Sequence, residues 1–252
     1  MWYGEVEKVN PTEIKKLIFD ESINEEELIF NLVDLFKLGD FSLKPLLVQL
    51  MNSTGDDEVL QLCIEIFSSI ATHEDIRDSD NFIFLLNAST DTLKTFTARA
   101  SDFLSYEIVP YLLVLLEEWT GNYQVEAMIR DALAEILGAV LGDDVTFEDI
   151  GNYYLGIENS RSTSYFYEQK PSFAGDLTKI IQQRAMSAMY LNEPFKMYTI
   201  PSLLSIWSGK KCPLEYETIV TNQVVKEILD YTESLSKMEW ERGKKYFYGH
   251  IV

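Results

Sequence analysis

Residues 24–39, NEEELIFNLVDLFKLG, contain one complete helix with both of its ends. Asn24 is suited to accept the first free backbone amides, and the three glutamates after it favour the positive end of a helix dipole. Leu28, Leu32, Leu35 and Phe36 then recur at a spacing of three and four, which places them on one face of a 3.6-residue helix. Gly39 is a natural stop, because it adopts the left-handed conformation that closes a helix. The unit is therefore an amphipathic helix that must bury its apolar stripe against neighbours.

The same pattern extends outward on both sides. TEIKKLIFDES (12–22) sets Ile14, Leu17 and Ile18 on one face, and FSLKPLLVQLMN (41–52) tolerates Pro45 in its first turn. DDEVLQLCIEIFSSIA (56–71) carries a broad stripe of Val59, Leu60, Cys63, Ile64, Phe67 and Ile70. Helical segments are expected at 80–89, 90–105, 106–119 and 122–142. Gly-Asp recurs at 39–40, 55–56, 142–143 and 175–176, read as a glycine ending one helix and an aspartate opening the next. Short connections between such helices give antiparallel pairs, and several pairs in series give an α-solenoid or an irregular bundle. The expected fold class is all-α, an antiparallel helical array, with residues 1–252 as one domain.

The second half reads differently. NYYLGIENSRSTSYFYEQKPSFAGD (152–176) is polar and aromatic, and 152–173 is expected to be an exposed insertion, a loop or small β-element. Helices return at 174–192 and 198–209, and 215–250 is expected to hold one long or two shorter helices.

Charge divides the chain in the same way. The net charge is −20 over 252 residues. Residues 1–150 hold 30 acidic and 9 basic side chains, a net −21, whereas 151–252 hold 11 and 12, a net +1. A field of that sign repels nucleic acid and anionic membranes and attracts a basic protein. The N-terminal residues lack the apolar core of a signal peptide, and the longest apolar run, IVPYLLVLL (108–116), is far short of the ~20 residues of a membrane span. A cytoplasmic location is expected. Cys63 and Cys212 match no redox or metal-ligand spacing.

Candidate chemistry is sparse. ATHEDIRDSDNF (71–82) gathers His73, Glu74, Asp75, Asp78 and Asp80, but its spacing matches no zinc or EF-hand motif. It reads as an interhelical turn, capped by Thr72 or Asp78, with Ile76 packed inward. His73 is placed at the carboxyl end of the preceding helix, where a cation is favoured. His250 lies near the end of the chain and is expected to be disordered. WSGKKC (207–212) lacks the first glycine and the Ser/Thr of a phosphate loop. Adjacent carboxylates such as Glu117/Glu118 diverge by about 100° on a helix, which suits a surface better than an acid/base pair. No catalytic residue, cofactor or metal is expected.

The acidic density of 102–149 stands out, with eleven carboxylates against Arg130 alone. A basic partner is expected to meet Glu117, Glu118, Glu126, Asp131, Asp143, Asp144, Glu148 and Asp149, with Trp119 and Tyr123 as aromatic contacts.

The segments DDEVLQLCIEIFSSIATHEDI (56–76) and NYQVEAMIRDALAEILGAVLGDD (122–144) resemble the second helix of HEAT-type repeats, over roughly 24–145. Through these acidic helical segments the chain also resembles the immunity proteins of bacterial polymorphic-toxin and contact-dependent inhibition systems. That resemblance implies stoichiometric binding and neutralisation of a cognate toxin, often a basic nuclease, with no chemistry of its own. An α-solenoid adaptor and a metal-dependent enzyme using the 73–80 carboxylates are the alternatives.

Overall fold

A computed structural model describes residues 10–20, 22–142, 144–158 and 163–252. The chain is mostly helical. The first helices are α1 (Pro11–Ile18), α2 (Glu25–Lys37), α3 (Lys44–Ser53) and α4 (Asp57–Ile70). Their starts are set by side chains read from the sequence. Asn24 Oδ1 accepts from Glu27 N at 2.8 Å, and Asp56 Oδ1 accepts from Glu58 N at 2.9 Å. A short helix α5 (His73–Arg77) and a 3-10 segment (Ser79–Asn87) lead into α6 (Thr90–Arg99). Two 3-10 turns follow, and then α7 (Val109–Glu118), α8 (Tyr123–Leu137) and α9 (Phe147–Glu158).

The helices pack in two rows. α2, α4, α6 and α8 contact one another in series, while α1 lies on α2, α3 on α4 and α7 on α8. Each hairpin buries one stripe against its own partner and another against the next hairpin, so one apolar core runs from Ile14 through Leu32, Phe67 and Leu93 to Leu133. Between α4 and α6, the rings of Phe67, Phe82, Phe96 and Phe103 meet mostly edge to face, at 5.8–6.3 Å.

Several sequence expectations are corrected. The 80–89 segment is 3-10 rather than α. Asn52 brackets it by donating to Asp80 O and accepting from Phe84 N, and Phe82 breaks the helix at φ −118°, ψ 20°. The 90–105 α-helix stops at Arg99 and tightens into a 3-10 turn over Ala100–Phe103, which Leu104 closes left-handed at φ +55°. Within the 152–173 insertion, 152–158 belongs to α9. Its second part is a hairpin of β1 (Phe166–Tyr167) and β2 (Lys170–Pro171), paired antiparallel. α10 (Ala174–Leu191) contains Gly175-Asp176 in its first turn, so that dipeptide marks no helix stop.

α11 (Thr199–Ser208) and α12 (Asn222–Ser236) follow, but 215–250 does not continue as helix. It ends in a hairpin of β3 (Tyr246–Phe247) and β4 (His250–Ile251). Tyr248 (φ +50°) and Gly249 (φ +83°) make the tight turn whose twist matches paired strands. His250 is therefore held in a strand rather than disordered. Tyr248 N donates to Ile206 O at 2.8 Å and Gly249 N to Trp207 O at 2.6 Å, which anchors this hairpin to α11. Among the described residues, no helix is long and apolar enough to cross a membrane.

Candidate functional site

The acidic segment folds as the α7–α8 hairpin with α9 against α7. The α7–α8 turn carries Glu117, Glu118, Trp119, Tyr123 and Glu126. Glu117 and Glu118 are exposed, and Tyr123 stands out into solvent at 86 % exposure. Trp119 instead turns half-buried onto the core. Glu126 is committed locally, its carboxylate accepting from Gly121 N.

Asp131 is exposed on α8, and Asp144, Glu148 and Asp149 are exposed around the start of α9. Arg130 shapes this connection. Its Nη1 donates to Val145 O at 2.8 Å and Gly142 O at 3.5 Å, so the chain after α8 folds back to the middle of that helix. Asp149 is also committed, forming a reciprocal cap with Thr146 through bonds of 2.6 and 3.1 Å that hold its carboxyl below the usual range. Asp143 lies outside the described residues. Glu117, Glu118, Asp131, Asp144 and Glu148 have no salt-bridge partner among the described residues. The bases of the first half pair elsewhere, Lys15 with Asp40, Lys44 with Asp75 and Arg77 with Glu107.

Beside this surface lies a feature the sequence reading missed. A groove of about 410 Å³ runs between the 3-10 segment and the outer face of α7. Phe82 and Tyr111 form its floor, with ring centroids 4.3 Å apart, and Tyr111 Oη donates to Ile76 O at 2.8 Å. Ile83, Leu86 and Val114 stand on its walls, 47, 77 and 54 % exposed. Asp80 and Glu118 line it as well. The available signal was α7 itself: VPYLLVLL is apolar all round, more than a helix packed on one side can bury.

The 71–82 cluster is the corner that its pattern predicted. Thr72 and Asp75 form a reciprocal capping box at the start of α5, and Lys44 Nζ reaches Asp75 Oδ2 at 2.6 Å. His73, however, opens α5 rather than closing α4. Its ring stacks on Tyr165 at 4.4 Å and Nδ1 lies 2.7 Å from Ser105 Oγ. Burial, then the nearby Arg77 charge, pushes its pKa down, so it is a poor place for a cation. The basic side chain that does reach the end of α4 is Lys245. Its Nζ is wholly buried and donates to Ser68 O at 2.6 Å, Ala71 O at 3.2 Å and Phe103 O at 3.4 Å. Among the described residues, no group of three or more His, Cys, Asp and Glu side chains converges as a metal site would.

Fold and surface together define an all-α helical array that presents carboxylates and an apolar groove on one of its hairpins. The family model of Immunity protein 47 matches residues 1–252, the whole chain, and the chain belongs to that family. No curated protein and no solved structure matches it.

Proposed function

We propose that this immunity protein neutralises a cognate toxin by stoichiometric binding, without chemistry of its own, and that the toxin is basic. The observation that carries the basic partner is the set of exposed carboxylates on α7–α9, Glu117, Glu118, Asp131, Asp144 and Glu148, left without cations among the described residues. Like charges crowded on adjacent helices repel one another, and a cationic surface relieves that repulsion. Tyr123 supplies an exposed aromatic contact at the same hairpin. The serial packing of α2, α4, α6 and α8 supports a HEAT-like reading of the array. We further infer that the whole chain acts as one domain, in the cytoplasm, within a polymorphic-toxin or contact-dependent inhibition system.

The test is association kinetics with the toxin encoded beside the gene. Asp131→Lys, Asp144→Lys and Glu148→Lys together should lower the association rate about tenfold or more at low salt, with a smaller change in dissociation. Asp230→Lys with Glu239→Lys, in the charge-balanced half, should change little. An association rate indifferent to both salt and the triple reversal rejects the electrostatic reading.

A further inference from the structure

We infer that the groove between residues 79–87 and α7 receives an amphipathic helix of the toxin, its apolar face inserted and its flanks basic. The inference rests on the toxin-binding reading above and names which element of the partner this surface takes. Tyr111, Val114, Leu115 and Glu118 follow one another along α7 at i, i+3, i+4 and i+7, so the wall extends about 10 Å, two helical turns. The facing wall is a 3-10 segment whose Ile83 and Leu86, three apart, lie one above the other. Two ridges of this kind leave a channel that a third helix fills with its own ridge.

The floor is rigid, because Phe82 is buried and Tyr111 is tied to the Ile76 carbonyl. The walls keep apolar surface in water, and apolar surface gathered in a groove rather than scattered singly is what a partner's apolar face can cover.

Charge selects the occupant. Carboxylates stand at both ends of the channel. Asp80 lies at one end, where Asp78 and Glu107 also act on the Tyr111 phenol, and Glu118 lies at the other. Glu107 is engaged with Arg77, with Nε at 3.0 Å. A helix with two or three apolar residues in the middle and lysine or arginine one turn beyond at each end matches this order of acid, apolar and acid. A second copy of this chain would bring further negative charge to the same rim, and an anionic lipid surface would be repelled.

The probe is a synthetic helical peptide of about 14 residues, with leucines at i, i+3, i+4 and i+7 and lysines at both ends, titrated by fluorescence anisotropy. It should bind the wild-type protein. Leu86→Gln and Val114→Gln change exposed side chains without adding charge, and each should weaken binding about tenfold. Replacing the peptide's lysines by glutamate, or scrambling its order, should weaken binding at least as much. Absence of peptide binding, equal binding to the Gln variants, or preference for the glutamate peptide overturns the inference. So does concentration-dependent self-association that Leu86→Gln abolishes, since a second copy would then be the occupant. Undiminished toxin neutralisation by the Leu86→Gln/Val114→Gln protein overturns the toxin as occupant while leaving the α7–α9 electrostatic reading intact. Loss of binding only in the α7–α9 reversals would give that same separation.

Discussion

Lys245 lies in RGKKYFYG, within the 215–250 stretch expected to be helical, yet its amine is enclosed between the end of α4 and the rings of Phe103 and Tyr165. Burial pushes its pKa down, to about 7, against the pull of Asp102. Asp102 is also wholly buried. Its Oδ2 sits 3.6 Å from Arg99 Nη1 and makes no hydrogen bond among the described residues, and burial pushes its pKa up to about 6 against Arg99 and Lys245. The two groups titrate in opposite senses. Between about 7 and the ordinary 10.5 of lysine, the unfolded chain holds a proton that native Lys245 does not. Its share of stability therefore climbs through that window as pH rises, by on the order of 5 kcal/mol. Between 3.8 and about 6, native Asp102 holds the extra proton, and its share falls as pH rises. Urea unfolding from pH 4 to 10 checks this. Lys245→Met should flatten the alkaline climb, and Asp102→Asn should remove the decline below about pH 6. An alkaline slope that survives Lys245→Met would show that the ammonium is not the group responsible.

At the scale of elements, the helix ends separate two kinds of glycine. Gly39 closes α2 at φ +80°, and a Cβ built there would lie 2.7 Å from His250 Nδ1. Gly55 precedes α4 outside the left-handed region, with no atom within 4 Å of its would-be Cβ. Gly39→Ala should therefore cost about 1–2 kcal/mol, whereas Gly55→Ala should be neutral or stabilise by about 0.4–1 kcal/mol through the unfolded chain. The denaturant midpoint at unchanged slope measures both. Adding His250→Ala to Gly39→Ala should restore little, because the exposed imidazole can move aside and the backbone angle cannot. The hairpins belong to the same scale. β1 and β2 turn on Glu168 (φ +46°) and Gln169 (φ +62°), without the Asn-Gly or Asp-Gly signal of such turns. Gln169 compensates by donating to Leu137 O at 2.6 Å, where it satisfies the end of α8.

For the whole molecule, charge is stored unevenly, at −21 in residues 1–150 and +1 in the remainder. Self-repulsion within the helical rows is a cost that mobile ions reduce. Raising ionic strength from about 0.02 M to about 0.2 M shortens the screening length to below 10 Å. The free protein should then gain about 2–4 °C in melting temperature, corresponding to roughly 1 kcal/mol. The same increase should slow association with a basic partner, so stability and binding respond to salt with opposite signs. Differential scanning calorimetry and stopped-flow measurements in matched buffers test the pair. A melting temperature that falls with salt would mean that native ion pairs, such as Lys44–Asp75 and Arg99–Glu65, outweigh the repulsion.

The sequence by itself determined what neighbouring residues decide. Asn24 and Asp56 start their helices, Gly39 stops one, and Thr72 with Asp75 makes the capped corner, because each of these interactions spans a few residues of chain. It also determined the all-α class, through stripes that recur every three to four residues, and the sign of the acidic half. Only the tertiary structure decided the rest. The ammonium of Lys245 meets the carbonyl of Ser68, 177 residues away, and no local pattern distinguishes it from the neighbouring Lys244. The terminal hairpin forms because α11 supplies acceptors for its backbone amides. The acidic residues proposed for binding were divided by local geometry, with Glu126 and Asp149 spent on caps and Glu117, Glu118, Asp131, Asp144 and Glu148 left exposed. The groove exists because two segments, each unable to bury all of its apolar surface, lie side by side. Whether such surface becomes core or wall depends on what packs against it, and that is a property of the assembled fold.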